Sequence, residues 1–240
     1  AVVGSVTTVV MRGTAHSSAV VVSEEQPTKR AMMEGMYESE APALYLFGWV
    51  DEEAQEVITP FYIPGGTSFL ATGTWDAEFQ GLNDLAKSEK YGDFDPSTAP
   101  VNFVFQTYHL MVALFGLIAI TVFLALFFTL RGGKIKNMKW LQRLILISPV
   151  FPMLAIQAGW FTAEVGRQPW VVYPSATGPD GVSLLTNEGV SQSVSSVELL
   201  ITMVLFLVVY TFLMVAWARV LGRFIKEGPV VEPALKKEGE

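Results

Sequence analysis

The sequence predicts an all-α fold, a polytopic bundle of membrane helices that carries an extramembrane loop domain. Of its 240 residues, 51% are hydrophobic and only 16% are charged. The hydrophobic residues are gathered into long runs, and a helix of about 20 such residues crosses a bilayer. The polar segment before the first long run holds 15 acidic and four basic residues. Together these observations predict a membrane protein with an acidic domain outside the bilayer.

The composition also excludes several classes of site. The chain has no cysteine, which excludes disulfides, iron–sulfur clusters and thiolate-bound metals within it. Two histidines, His16 and His109, are too few for a multi-histidine metal site. The sequence has no glycine-rich phosphate loop, Gly-x-Ser-x-Gly elbow or His-Glu-x-x-His motif, so nothing in it predicts nucleotide binding, acyl transfer or zinc hydrolysis.

The chain begins with a short stretch of small and apolar residues. Residues 1–12 supply only about half of a spanning helix, and no basic residues precede them as in a signal peptide. We expect the end of a transmembrane helix here. A frayed terminus or a short amphipathic segment is the alternative.

Residues 13–100 are predicted to form the extramembrane domain. Turn-like pairs of proline and glycine punctuate this segment, as at Pro64-Gly65. The run from Ser23 to Gln26 has the spacing of a capping box, and Pro27 follows in the first turn. This pattern predicts a short helix over residues 24–38.

Three apolar runs are predicted to span the membrane, and the charges between them indicate their direction. Five basic residues and no acidic ones lie between Arg131 and Arg143, which predicts a cytoplasmic turn by the positive-inside rule. Pro149 and Pro152 are expected to bend the second helix. The predicted order is helix 101–130, cytoplasmic turn 131–139, helix 140–163, outer connection 164–196, helix 197–221 and cytoplasmic tail 222–240, with the domain 13–100 on the outer side.

The stretch GWFTAEVGRQPW, from Gly159 to Trp170, is the strongest indication of a functional site. An ionisable residue near hydrocarbon depth is costly unless it is paired, faces a cavity or binds something. Glu164 is therefore a candidate site residue with Arg167 as its partner. The alternative is an interfacial glutamate, with Trp160 and Trp170 as membrane-surface anchors.

The same stretch resembles the signature of subunit I of the cytochrome bd quinol oxidases, in which a GRQPW motif closes a transmembrane helix. The resemblance implies that Glu164 is an axial ligand of the high-spin b haem iron. It further implies that Trp160 lies beside the haems and takes part in electron transfer, and that Arg167 is a charge partner at the haem site.

A second resemblance lies in the first long helix, which begins FVFQTYHLMV. A lone methionine in a helix is usually core packing, but this family has a methionine here as an axial ligand of its low-spin b haem, which implies that role for Met111. His109 stands where well-known members have arginine. It could be an interfacial hydrogen-bonding residue, a partner of a haem propionate or a ligand.

The third resemblance is QPTKRAMMEG, from Gln26 to Gly35, which looks like the quinol-binding loop of the family. It implies roles in quinol oxidation for Lys29 and Glu34. The chemistry is suitable, because a carboxylate within hydrogen-bond reach of a quinol hydroxyl can accept its proton. A simpler interpretation is that Arg30 and Glu34, four residues apart, form a surface ion pair.

Two apolar stretches, residues 44–49 and 63–70, also look like this loop in its shorter form. Packing of the loop on the helices is the expected role, since aromatic clusters of this kind are usually core. The alternative is a wall of the quinone pocket.

The resemblance covers nearly the whole chain but only the C-terminal half of subunit I, and neither histidine matches the family's haem-ligating positions. We therefore expect a split subunit whose partner polypeptide supplies the N-terminal half, together with a subunit II-like membrane chain. The other implied partners are quinone and membrane lipid, and no nucleic acid. The implied cofactors are low-spin and high-spin haem b, with haem d as a further candidate.

The resemblance implies a quinol oxidase that passes electrons through b-type haems to oxygen, in the cytoplasmic membrane of a prokaryote. Two alternatives stay open. One is a quinol-oxidising relay that does not reduce oxygen, and the other is a haem-free structural membrane subunit.

Overall fold

The computed structural model of the chain describes residues 20–92, 94–132, 137–174, 182–191 and 193–228. The described part is mostly helical, in agreement with the predicted class. Three helical segments are long and apolar enough to cross a membrane. The chain divides into two compact units, which meet in sequence between Gly189 and Val190. The predicted N-terminal helix end at 1–12 and His16 lie outside the described residues.

The loop domain begins with two short helical stretches rather than one. Residues 20–25 are helical, so Ser23 lies inside a helix and is not the expected cap. Helix α1 follows over Pro27–Glu34 and has Gly35 as its C-terminal cap, so it ends four residues earlier than predicted. Gly35 has φ +68°, and a Cβ there would stand 2.7 Å from Val57 Cγ2. A left-handed residue in such close packing requires glycine, which explains the early end of the helix.

An antiparallel hairpin follows, although the sequence had not predicted strands. It pairs β1 (Leu44–Asp51) with β2 (Glu56–Ile63), with register shifts on both sides of Phe47. Val50 is buried with the loop core. The remaining elements of the domain are helix α2 (Gly66–Thr72), helix α3 (Leu82–Ala86) and a 3₁₀ turn (Glu89–Tyr91).

The first spanning helix, α4, covers Val101–Leu130, the same residues as the predicted run. The second run is broken into α5 (Lys139–Ile147) and α6 (Val150–Val165), because Pro149 cannot donate a hydrogen bond to the preceding turn. The break lies at one of the two prolines that were expected to bend this helix.

Helices α4 and α6 pack side by side and antiparallel. The hydroxyl of Thr162 donates to that of Thr107 at 2.9 Å. A Cβ built on Gly159 would meet Met111, and one built on Gly166 would meet Val104. The residue numbers of each contacting pair add up to 269 or 270, which is the signature of an antiparallel register. Glu164 is therefore level with Gln106.

The second unit contains helix α7, over Ser196–Glu227. Ser195 caps it by accepting a hydrogen bond from the Glu198 amide at 3.3 Å, and the Glu198 carboxylate accepts one from the Ser195 amide at 2.9 Å. The helix continues to Glu227, so the first residues of the predicted tail 222–240 are helical instead.

Candidate functional site

Lys29 connects the loop domain to the GRQPW segment. Its Cγ would stand 3.0 Å from a Cβ built on Gly166, so its stem lies across the backbone that follows α6. Burial lowers the pKa of Lys29, the nearby Arg167 lowers it further, and Glu164 raises it. Two motifs that are about 130 residues apart in the sequence therefore meet at this lysine.

Glu164 and Arg167 form the ion pair that the sequence had predicted. Arg167 Nη2 donates to Glu164 Oε2 at 2.6 Å, and both side chains are partly exposed. The pair spans one turn at the C-terminal end of α6. One carboxylate oxygen is thereby oriented by a fixed charge.

Glu34 lies on another side of α1 and is only 2% exposed. The hydroxyl of Thr67, in α2, lies 3.3 Å from its Oε2 and 3.1 Å from the carbonyl oxygen of Ala43. Burial raises the pKa of Glu34 to about 7, although the Thr67 hydrogen bond and the Arg30 charge both lower it. Lys29 and Glu34 are five residues apart, or about 140° around the helix, so they do not share a face.

The alternative interpretation, a surface ion pair of Arg30 and Glu34, is wrong. Both residues are buried, and they form no ion pair among the described residues. The Arg30 guanidinium instead lies 3.8 Å from the ring centroid of Phe79, and its Nη2 donates to the Gln80 carbonyl at 3.5 Å. Burial lowers the pKa of Arg30 to about 10, while Glu34 raises it.

The side chain of Met111, a residue of α4, lies between α4 and α6. Its Sδ would stand 2.7 Å from a Cβ built on Gly159, so the absence of a side chain makes room for the sulfur. In the antiparallel register Met111 is five residues deeper along α4 than the level of Glu164, or about 7 Å. The two candidate ligands therefore lie at neighbouring depths on adjacent helices.

His109 is buried on a different side of α4 from Met111, because two residues correspond to about 200° of rotation. Its Nδ1 lies 2.8 Å from the Phe105 carbonyl oxygen, and its ring stacks on Phe105 with centroids 4.0 Å apart. The backbone of Tyr45 in β1 is close by. The histidine therefore faces the hairpin of the loop domain.

The two tryptophans of the motif differ in environment. Trp160 is 55% exposed on α6, one turn before Glu164 and on the same face. Trp170 is fully buried, stacked on Phe94 with centroids 6.1 Å apart and in edge contact with Tyr173. Trp170 is therefore core, and the alternative that it anchors the chain at the membrane surface is wrong.

Tyr173 is a site residue that sequence reasoning missed. Its hydroxyl oxygen lies 2.7 Å from Thr28 Oγ1 and accepts a hydrogen bond from the Thr28 amide at 3.2 Å. That amide is in the first turn of α1, whose N-terminal cap Gln26 makes no side-chain cap bond. The phenol thus satisfies a free helix donor next to Lys29. No local pattern reveals a partner 145 residues away.

The donor types fit axial haem ligation. Among the described residues no group of three or more His, Asp or Glu could hold a bare metal ion. A porphyrin supplies four iron bonds itself, so a bound haem would need only one axial ligand per iron from this chain, and a methionine thioether is a known axial ligand. Met111, seated at Gly159, and Glu164, oriented by Arg167, are donors of that kind.

Comparison with known proteins gives one consistent result. The profile of the family described as "Cytochrome bd terminal oxidase subunit I" matches residues 1–229. Cytochrome bd ubiquinol oxidase subunit 1 of Bacillus subtilis is 32% identical over 219 residues, which cover 89% of this chain and 44% of that protein. Cytochrome bd-II ubiquinol oxidase subunit 1 of Escherichia coli is 25% identical over 276 aligned residues, covering 89% and 51%.

A solved structure agrees with the sequence relatives. The bd oxidase from Geobacillus thermodenitrificans is similar in fold, with a TM-score of 0.67 and 28% identity, over 90% of this chain and 45% of the matched chain. The chain thus spans about half the length of the relatives it matches.

Proposed function

This chain belongs to the cytochrome bd terminal oxidase subunit I family, and we propose that it is the quinol-oxidising, haem-bearing part of a bd-type oxidase. The observation that carries the proposal is the contact of Lys29 with Gly166. It joins the helix that resembles the quinol loop to the segment that holds Glu164. A quinol bound near α1 would thus lie close to a candidate iron ligand.

Within this proposal Glu34 takes a proton from quinol. Its pKa of about 7 suits a base that must accept a proton and then release it near neutral pH. The carboxylate is buried and lies 3.3 Å from the Thr67 hydroxyl, so a quinol hydroxyl can reach it only if the groups that cover it move. Lys29 contributes a positive charge on the side of α1 that faces α6.

Met111 and Glu164 are the proposed ligands of the low-spin and the high-spin haem. When bound, these haems supply the one-electron chemistry that links quinol oxidation to the terminal acceptor. Arg167 holds the Glu164 carboxylate in place, and Trp160 presents its ring on the same face of α6. His109 has no ligand role in this proposal, because it faces the hairpin rather than Met111.

The exposed apolar surfaces of α4 and α6 support association with further membrane helices. Large side chains such as Phe123 and Ile156 are more than 60% exposed on these two helices, and the matched relatives are about twice as long as this chain. We propose that helices equivalent to the rest of subunit I, and a subunit II-like chain, complete the haem sites. The domain with Glu34 then lies on the outer side of the cytoplasmic membrane.

The test is a reduced-minus-oxidised visible spectrum of the purified complex, with and without carbon monoxide. Low-spin b bands and a red-shifted band that responds to carbon monoxide are expected. Met111→Ala should remove the low-spin signal and Glu164→Ala the high-spin one, whereas Met203→Ala on α7 serves as a matched control. Bands of type b without a carbon monoxide response would favour an electron relay, and no haem signal would favour a structural subunit.

A further inference from the structure

The β1–β2 hairpin exposes an aromatic face that the proposed quinol site does not use. This aromatic face consists of Phe47, Trp49, Ile58 and Phe61, each between 53% and 59% exposed. The rings of Phe47 and Phe61 meet edge to face across the strands with centroids 5.6 Å apart, and Trp49 pairs with Ile58. A rigid apolar patch of this composition in water would be unfavourable.

The opposite face of the hairpin packs on the loop core and on α4. Val50 is 1% exposed in the loop core, and Val57 packs beside it against Gly35. The ring of Tyr45 lies 5.9 Å from that of Phe105 in α4. The direction of the aromatic face is therefore set by packing on its other side.

Hydrogen bonds determine the height of the hairpin along α4. Gln106 Nε2 donates to the Gly48 carbonyl at 2.7 Å, and the Val50 amide donates to Asn102 Oδ1 at 3.1 Å. At the start of the helix the Asn102 amide donates to Glu52 Oε1 at 2.7 Å. The hairpin thus runs alongside the first turns of a membrane-spanning helix, with its turn at the helix N-terminus and its open end deeper.

The charged and apolar residues of the hairpin are separated along its length. Asp51, Glu52, Glu53 and Glu56 are gathered at the turn, and the Phe47–Phe61 pair lies toward the open end. Helix α4 has 30 residues and is about 45 Å long, roughly 15 Å more than the hydrocarbon core of a bilayer. The polar residues Asn102, Gln106 and His109 are in its first turns, and almost all residues from Met111 onward are apolar, which assigns the excess length and the headgroup region to this end of the helix.

We propose that the aromatic face inserts into the lipid headgroup and acyl boundary of the leaflet on the loop-domain side. Aromatic side chains are favoured at this depth, and the acidic turn stays in water. The occupant is lipid, because hydrogen bonds hold the hairpin beside the first turns of a membrane-spanning helix, and the four acidic side chains of the hairpin lie at its turn, away from the Phe47–Phe61 pair. The inference does not depend on quinol or haem chemistry.

The absence of cysteine in the chain makes the test direct. Phe61→Cys and Ile58→Cys are labelled with a nitroxide in the purified complex, which is reconstituted in phosphatidylethanolamine and phosphatidylglycerol nanodiscs. Collision with oxygen, which partitions into lipid, is compared with collision with a water-soluble nickel chelate. Glu53→Cys at the turn is the water control, Phe212→Cys near the middle of α7, 73% exposed, is the lipid control, and the unsubstituted complex is the blank for cysteines of other subunits.

Labels at positions 58 and 61 should collide with oxygen several-fold more than the label at position 53, and less than the label at position 212. Nickel-dominated relaxation at both positions would overturn the proposal in favour of a solvent-exposed hairpin. Low accessibility to both reagents would overturn it in favour of a covering protein subunit. The two positions are independent, so failure of one variant to assemble leaves the other as the test.

Discussion

The sulfur of Met111 lies against the backbone of Gly159, where a Cβ would approach it to 2.7 Å. The position of a candidate iron ligand on one helix thus depends on the lack of a side chain on its neighbour. Thr107 and Thr162 hold the same two helices together one turn away, through their 2.9 Å hydrogen bond. The packing of the two helices therefore determines where the thioether of this flexible side chain lies.

Gly159→Ala should displace the Met111 sulfur, since a Cβ cannot occupy that space. The cost in stability should be small, because the atoms that the methyl meets belong to the flexible Met111 side chain, but the low-spin haem band should shift or lose intensity. Gly116→Ala is the matched control, because a Cβ there meets nothing within 4 Å. Identical reduced-minus-oxidised spectra for the two variants would contradict this role of Gly159.

Tyr173→Phe should destabilise the loop domain. It removes the phenol oxygen from the Thr28 amide and hydroxyl, and an unsatisfied buried donor costs about 1–3 kcal/mol. We expect a lower thermal midpoint of the detergent-solubilised complex and a raised KM for quinol, because Lys29 is next to Thr28. Tyr62→Phe, on an exposed tyrosine, should change neither quantity. An unchanged midpoint for Tyr173→Phe would show that water replaces the phenol.

Quinol oxidation should become faster as the pH rises through about 7. A proton acceptor is active in its ionised form, and the pKa of Glu34 is raised to about 7, so the carboxylate becomes the major form only above this pH. In steady-state quinol oxidase assays between pH 5.5 and 8.5, Glu34→Gln should be slow at every pH and should lack this increase in rate with pH, which is the alkaline limb of the pH profile. A limb that persists in Glu34→Gln would assign the titration to another group.

Arg30→Met should move the same limb to higher pH. The Arg30 charge lowers the pKa of Glu34 from one helical turn away, and methionine keeps an apolar stem against Phe79 while removing the charge. Arg143→Met, an exposed site on α5, is the control for loss of a positive charge at a distance. A limb that moves equally in both variants would indicate a general surface effect.

The membrane helices and the GRQPW pair were predictable because their signals are local. A run of apolar residues predicts a span by length alone, and the three-residue spacing of Glu164 and Arg167 brings them together on any helix. Arg30 and Glu34 have the same kind of spacing, yet they are buried without pairing. Spacing tells which side chains are neighbours on a helix, but not which face the rest of the protein covers.

The hairpin could not be predicted because its pattern is irregular. Register shifts on both sides of Phe47 break the alternation of inward and outward residues, and Pro60 lies within β2. The contact between Thr28 and Tyr173 was out of reach for another reason. It depends on how distant segments pack, which no window of sequence contains.

The register between α4 and α6 determines the distance and the angle between Met111 and Glu164. One extra residue between Gly159 and Glu164 would turn the carboxylate by 100° and shift it 1.5 Å relative to Met111. An extra residue in the connection between the two helices would leave that relationship unchanged. An insertion is thus tolerable in the connection between the two helices and harmful within α6. The number of residues between Gly159, which makes room for the Met111 sulfur, and Glu164 determines the geometry of the two candidate ligands.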